Sequence, residues 1–187
     1  MDEPEELAWE TLGRTVAYDC PGFAVRNERV RLPDGTETEY DYVTEPPAVV
    51  VLPFRGEGGP DDEVVLIEEW RQAVGRVNRG IPAGTVDNRE DGDLVAAARR
   101  ELREETGHEA DRIEPLTTVE PLNGVSDAVH THFVAYGCEP RGDQRLDHDE
   151  SIRTATTPYR EFREAVREGG IRDGRAVLAV AYYELAR

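Results

Sequence analysis

From residue 14 to residue 32 the chain alternates apolar and polar positions, with Val16, Tyr18, Phe23, Val25, Val30 and Leu32 prominent. A period of two marks one or two half-buried strands. Pro33-Asp34-Gly35 then supplies turn chemistry, and a further strand is expected at about 38–44. Past Glu45-Pro46-Pro47, the run Ala48-Val49-Val50-Val51-Leu52 is apolar on both faces, the pattern of an interior strand. Residues 63–69 read as its hairpin partner, joined by a long Gly-rich tip from Arg55 to Asp62. Gly80-Ile81-Pro82-Ala83-Gly84 must be loop or strand end, because Pro and Gly damage a helix.

The period then lengthens. Val95, Ala98 and Leu102 form the apolar stripe of a helix that begins after Asp93, a good N-cap, and stops at Gly107. Strands are expected near 113–119, at 128–136, where Val129, Thr131, Phe133 and Ala135 share a parity, and at 151–156. Helices at about 158–168 and 174–185 close the chain. Mixed strands with one central and two late helices predict an α+β or α/β class fold, an α/β/α sandwich around a mixed β-sheet. Its length of 187 residues suits one domain with an added substructure.

Composition narrows the function classes. Forty acidic residues against 22 basic ones give a formal charge of −18, a field that repels nucleic acid and anionic membrane surfaces. Every basic residue is arginine and none is lysine, a bias that with the acid excess resembles that of a salt-accumulating halophile, with a GC-rich genome and an ordinary acidic protein as the alternative. Cys20 and Cys138 have no metal-ligand spacing and form no disulfide framework, so both are expected as buried thiols in a reducing cytoplasm. The acidic start, Met1 to Glu6, lacks the basic-then-apolar pattern of a signal peptide, and Ala176–Leu185 is too short to span a bilayer.

Chemistry concentrates in Arg100-Glu101-Leu102-Arg103-Glu104-Glu105-Thr106-Gly107. At roughly 100° per residue, Glu101, Glu104 and Glu105 fall on one side of about one helical turn. Like charges that close repel unless something offsets them, and a hard divalent cation shared with substrate phosphates does so. A solvated acidic face is the plain alternative.

With Gly84 upstream, this stretch resembles the Nudix box, G-x5-E-x7-R-E-U-x-E-E-x-G-U. The resemblance runs from about residue 25 to 185. Leu32-Pro33-Asp34-Gly35, Trp70-Arg71, Ile81-Pro82-Ala83-Gly84, Gly124-Val125-Ser126-Asp127 and Gly170-Ile171-Arg172-Asp173 are similar to the ADP-ribose and nucleotide-sugar pyrophosphatase branch. Three departures stand out. Nine residues, not seven, separate Glu90 from Arg100, as a two-residue insertion before the helix would produce, and counting back from Arg100 meets Gly92 instead. His108 replaces an aliphatic residue at the end of the box. On the substrate side, Gly80, Asn123-Gly124 and Ala128 stand where the branch commonly has Glu, Pro-Gly and Glu.

The resemblance implies Mg²⁺- or Mn²⁺-dependent hydrolysis of a nucleoside diphosphate linked to another moiety, with ADP-ribose giving AMP and ribose 5-phosphate as the leading case. It implies Glu101 and Glu105 as the principal metal ligands, Glu104 as an accessory ligand or ion-pair partner, the Ala83 carbonyl as a further oxygen, and Arg100 as the group that orients them. Arg71 is implied for substrate phosphates, with a strand-end salt bridge as the alternative. Glu150, in the acidic loop Asp147-His148-Asp149-Glu150, is the candidate general base, and His148 a lesser one, with a halophile's acidic surface loop as the alternative. Asp91, Asp93 and Asp61-Asp62-Glu63 read as solvated or capping groups, and Trp70 as either base pocket or core. Residues 1–45 resemble the branch's N-terminal strands, expected to build a homodimer, with 46–187 as the hydrolase domain. A non-catalytic nucleotide-sensing module, another nucleotide-sugar or dinucleotide pyrophosphatase, and a purely structural interaction protein stay open at this point.

Overall fold

The computed structural model describes residues 5–86, 92–148 and 150–187. These residues divide into two compact units. The first runs to Pro47 and also takes Glu120–Val129; the second holds Ala48–Val119 and His130–Arg187. The sequence division at residue 45 thus leaves out a segment of the first unit that returns from far down the chain.

In the first unit, β1 (Glu10–Asp19), β2 (Ala24–Arg31) and β3 (Glu37–Thr44) form an antiparallel meander. The turn expected at Pro33-Asp34-Gly35 closes the second hairpin. Asp34 Oδ1 accepts the Thr36 N–H at 2.9 Å, and Gly35 adopts φ +88°, where a side chain would be strained. The returning segment pairs with the end of β3: the Val43 N–H donates to the Val125 carbonyl and the Asp127 N–H to the Val43 carbonyl. Thr44 Oγ1 donates to Asp127 Oδ2 at 2.8 Å. Cys20, expected buried, is only half-buried, its thiol turned to the Phe23 carbonyl.

The second unit begins with β4 (Ala48–Pro53), β5 (Glu63–Arg71), β6 (Arg76–Gly80) and β7 (Ala83–Thr85). It continues through α1 (Leu94–Thr106), β8 (His108–Glu109), β9 (Arg112–Val119), β10 (His130–Tyr136) and β11 (Glu139–Pro140). β12 (Ile152–Pro158), α2 (Tyr159–Arg167) and α3 (Gly174–Leu185) complete it. Four strands, ordered β7-β4-β10-β9, make a mixed sheet in which only β4 and β10 run parallel; β12-β5-β6 and β11-β8 form separate antiparallel sheets.

The expected mixed sheet is found in these four strands, and the expected β4–β5 hairpin is corrected. The two strands meet at the Phe54–Val64 bridge and then diverge into different sheets. Each is apolar on both faces, so each can bury itself without the other. Val50, Leu52, Val64 and Leu66 pack with α2 and α3, while Val49, Val51 and Val65 pack with Ala97, Ala98 and Leu102 of α1. Tyr159 and Tyr183 lie 5.0 Å from the Phe54 ring, fixing α2 and α3 to the sheet, and their hydroxyls find Glu184 and the Gly58 carbonyl at 2.9 Å.

One core position is polar. His132 on β10 is fully buried on the Val50 and Val134 face, and neither ring nitrogen has a hydrogen-bond partner of good geometry, the backbone of Arg175 and His130 giving only weak compensation. Burial first, then His130, pulls its pKa down to about 4. Because that value is depressed, the associated stability is present above the ordinary histidine range and is lost as pH falls through about 4. Replacing His132 by Leu removes two unsatisfied atoms, and the variant is expected to gain about 1–2 kcal/mol at neutral pH. Urea melts at pH 7 and pH 5 check this: the gain should widen at the lower pH.

Candidate active site

α1 presents the acidic turn. Asp93 caps it as expected, its Oδ1 accepting the Val95 and Ala96 N–H groups at 3.0 Å each. Gly107 ends it in the left-handed region, φ +71°, donating its N–H to the Arg103 carbonyl. Between these ends, Glu101 is 8% and Glu105 3% exposed, so both carboxylates are buried, whereas Glu104 reaches solvent.

Each carboxylate has a partner that explains where it sits. Arg100 forks: Nη1 donates to Glu101 Oε1 at 2.7 Å and to Glu104 Oε2 at 3.0 Å, while Nη2 donates to the Thr85 carbonyl at 2.8 Å. One guanidinium thereby ties two glutamates to β7, the strand that holds Ala83 and Gly84. The Ala83 N–H donates to Glu105 Oε2 at 3.0 Å, so Ala83 meets the site through its amide as well as through the carbonyl the resemblance singled out. Gly84 supplies room. A Cβ there would stand 2.2 Å from the Glu101 carboxyl carbon, so a side chain would expel the carboxylate from its seat.

These contacts do not fully offset the cost of burial. Desolvation pushes the Glu101 carboxyl up to about 7 against the pull of Arg100, and Glu104 and Glu150 add to the rise. Desolvation pushes Glu105 up to about 8; the Ala83 amide and Arg175 oppose it, and Glu101 and Glu150 reinforce it. As placed, the glutamates are held by Arg100 and Ala83, and among the described residues no three acidic, imidazole or thiol side chains converge on one point.

Glu150 belongs to this neighbourhood, since its charge bears on Glu69, Glu101 and Glu105. The loop that carries it is tied to the end of α1. The Arg145 N–H donates to the Glu104 carbonyl and the Arg141 N–H to the Gly107 carbonyl, each at 2.8 Å, and Gln144 Nε2 donates to the Glu105 carbonyl at 2.5 Å. Carbonyls that a helix leaves open are satisfied by this loop. Nothing in the polar composition of 139–149 signals that role. Glu150 Oε2 also accepts the Asp147 N–H at 3.0 Å, and His148 is exposed.

Arg71 is found in the salt bridge that sequence reasoning kept as the alternative, its Nη2 lying 2.8 Å from Glu69 Oε2. Trp70 is exposed, not core, and its Nε1 donates to Gln72 Oε1. Asp62 and Glu63 are partnered by the Gly59 N–H and Arg55. Cys138 is buried, and desolvation pushes its thiol up to about 12, which removes it as a nucleophile. Glu90, Asp91 and Asp149 lie outside the described residues. Sequence reasoning missed Glu69, Gln144 and Arg175.

Residues 44–179 match the family model described as the NUDIX domain. The chain belongs to the Nudix family. It is a Nudix hydrolase. A protein from Bacillus methanolicus, described as a methanol dehydrogenase activator, is 31% identical over 157 residues, 83% of this chain and 82% of that protein. An ADP-ribose pyrophosphatase of Bacillus subtilis (strain 168) is 28% identical over 97% of this chain and 95% of its own length. One from Mycobacterium tuberculosis (strain ATCC 25618 / H37Rv) is 27% identical over 94% and 83%. A solved structure of an ADP compounds hydrolase superposes with a TM-score of 0.79 at 19% identity, covering 95% of this chain and 92% of that one, which establishes the likeness of fold. Among the described residues no helix of this Nudix hydrolase is long and apolar enough to cross a membrane.

Proposed function

We propose that this Nudix hydrolase cleaves the diphosphate bridge of ADP-ribose, giving AMP and ribose 5-phosphate, with Mg²⁺ or Mn²⁺ bound. The observation that carries the reading is the pair of buried carboxylates, Glu101 and Glu105, set against Ala83-Gly84 with their charge only partly offset. Buried charge without sufficient donors is costly, and a divalent cation bound by hard oxygen atoms would compensate it. The donor set fits such an ion: Glu101 and Glu105 would hold it, with Glu104 and the Ala83 carbonyl as further oxygens. When bound, the ion neutralises phosphate charge and polarises the phosphoryl oxygen.

The chain's own residues do the rest. Arg100 keeps Glu101 and Glu104 aimed at the strand end, where they would hold the cation. Arg71 receives a phosphate oxygen, a role suited to a planar guanidinium. Glu150 takes the proton of the attacking water. The ADP-ribose pyrophosphatases among its relatives span nearly the whole chain, which supports that substrate over other nucleotide sugars or dinucleotides.

The setting we propose is a homodimer in a reducing cytoplasm, with no nucleic acid or membrane partner. The first unit exposes Leu7, Trp9, Val16, Tyr18 and Phe23, apolar area of the kind self-association covers. A second reading, a nucleotide sensor without turnover, is favoured by the unconverged glutamates and by Gly80 and Ala128 at substrate-side positions. Product formation from a panel of nucleotide sugars and dinucleotides with Mg²⁺ or Mn²⁺, at low and molar salt, separates the two. ADP-ribose is expected to turn over fastest, and binding without turnover by any panel member would install the sensor instead. Sedimentation of the same preparation reports the dimer.

A further inference from the structure

Arg71 stands at the end of β5 with its side chain about a third exposed, and Glu69, two residues earlier on the same strand face, is 8% exposed. The acid is buried and the base reaches outward. Only the side of Arg71 that carries Nη2 is committed to Glu69; among the described residues its other N–H groups have no partner. An ion pair serving stability alone gives little reason to bury the carboxylate, since taking a charge out of water costs about what the pairing returns.

The surroundings hold Glu69 from several sides. Burial raises its pKa; Arg71 and then Arg175 oppose the rise, while Glu150 and Asp173 add to it. Arg175, at the start of α3, lies 3.3 Å from Asp173 Oδ2, and Asp173 Oδ1 accepts the Ala176 N–H at 2.9 Å. Gly80 makes space for this helix start, because a Cβ there would lie 3.2 Å from the Asp173 carboxyl carbon. Gly80 pairs with Ile67 and Asn78 with Glu69, so Gly80 and Glu69 occupy the same face of β5 and β6.

The strand on the other side of β5 brings the acidic loop to Arg71. Ile152 pairs with Glu69, and the Trp70 N–H reaches the Ser151 carbonyl at 3.4 Å, so the next step of the register sets Glu150 opposite Arg71. The register thus sets Arg71 beside Glu150, whose charge bears on the α1 carboxylates Glu101 and Glu105.

We propose that Glu69 is a positioning residue: locked between β6, α3 and Arg71, it holds the guanidinium with its open edge toward the reacting site, ready to receive a phosphate of the nucleoside diphosphate substrate. This rests on the reading of the site given above. A long side chain fixed beforehand loses less conformational freedom when the phosphate arrives, so the gain lies in ground-state and transition-state binding alike.

The test is steady-state hydrolysis of ADP-ribose by the wild type, Glu69→Gln, Arg71→Gln and the double variant. Glu69→Gln is expected to raise KM roughly tenfold with kcat within about twofold, the signature of lost uniform binding. In the Arg71→Gln background the same change should add nothing, because the residue it positions is gone. Multiplying effects, or a KM unmoved in Glu69→Gln, overturn the proposal. If Glu69→Gln melts below the assay temperature, Glu69→Asp takes its place, with the same non-additivity expected. Absence of turnover in the wild type overturns both this proposal and the reading it rests on; normal wild-type turnover with an unmoved KM overturns this one alone.

Discussion

Glu105→Gln is expected to lower kcat by about 10³-fold or more while making the metal-free protein harder to unfold at alkaline pH. The loss follows if Glu105 holds the cation, since charge stabilisation of several kcal/mol is at stake and each 1.4 kcal/mol is about tenfold in rate. The stability gain follows from burial. Glu105 is 3% exposed and its pKa is raised from 4.5 to about 8, chiefly by desolvation. A carboxyl group with a raised native pKa contributes stability that is fully present below 4.5 and lost as pH rises through about 8. Glutamine keeps an oxygen for the Ala83 amide and never ionises, so it escapes that loss. Denaturant melts of the two metal-free proteins at pH 5 and pH 9 should diverge by about 2–4 kcal/mol at the higher pH. Added Mn²⁺ should stabilise the wild type and leave the variant nearly unmoved. Equal stability at both pH values would mean that the buried carboxylate carries no strain for a cation to relieve.

The second large effect separates two glycines of the same motif. At Gly107, alanine would meet the Gly142 carbonyl oxygen at 2.3 Å and would have to hold φ +71°. Backbone cannot swing aside as a side chain can, so the helix end and the 141–145 loop must part, and a loss of about 3 kcal/mol or more is expected. At Gly84 the atoms a Cβ would strike belong to the Glu101 carboxylate, 2.2 Å away, the far end of a side chain that can rotate. Gly84→Ala should therefore melt within a few degrees of the wild type yet lose most of its Mn²⁺ affinity and turnover. Thermal melts and metal titrations of the two variants check the contrast; matching stability losses would refute it.

Much of the second unit was legible because local signals agreed. Asp93 and Gly107 bounded α1 at both ends, and the two-faced apolar run 48–52 announced an interior strand. What the chain hid was non-local. β4 and β5 are apolar on both faces, so their pattern says that they are buried but not beside which strand. β8 and β11 are two residues each, too short for a period to register. Glu69 sits in Glu68-Glu69-Trp70-Arg71, which in a chain of −18 reads as one more solvated acid; only the packing of β6 and α3 distinguishes it from Glu68. Of the candidate site, the acidic turn of α1 was readable from helical spacing. The hydrogen bonds from Arg141, Gln144 and Arg145 that tether the Glu150 loop were not, because two of the three use backbone donors that any residue owns.

The return of Glu120–Val129 to β3 bears on how this protein can be cut and recombined. Tyr40 reaches Gly124 and Thr44 reaches Asp127 across 84 and 83 residues of chain, so the N-terminal module is stitched by two discontinuous stretches. Deleting it as a leading peptide would strand ten residues midway through the remainder, with donors and acceptors that had been facing Val43 left to water or to one another. A chimera that borrows the front strands from a relative must borrow that internal decapeptide with them.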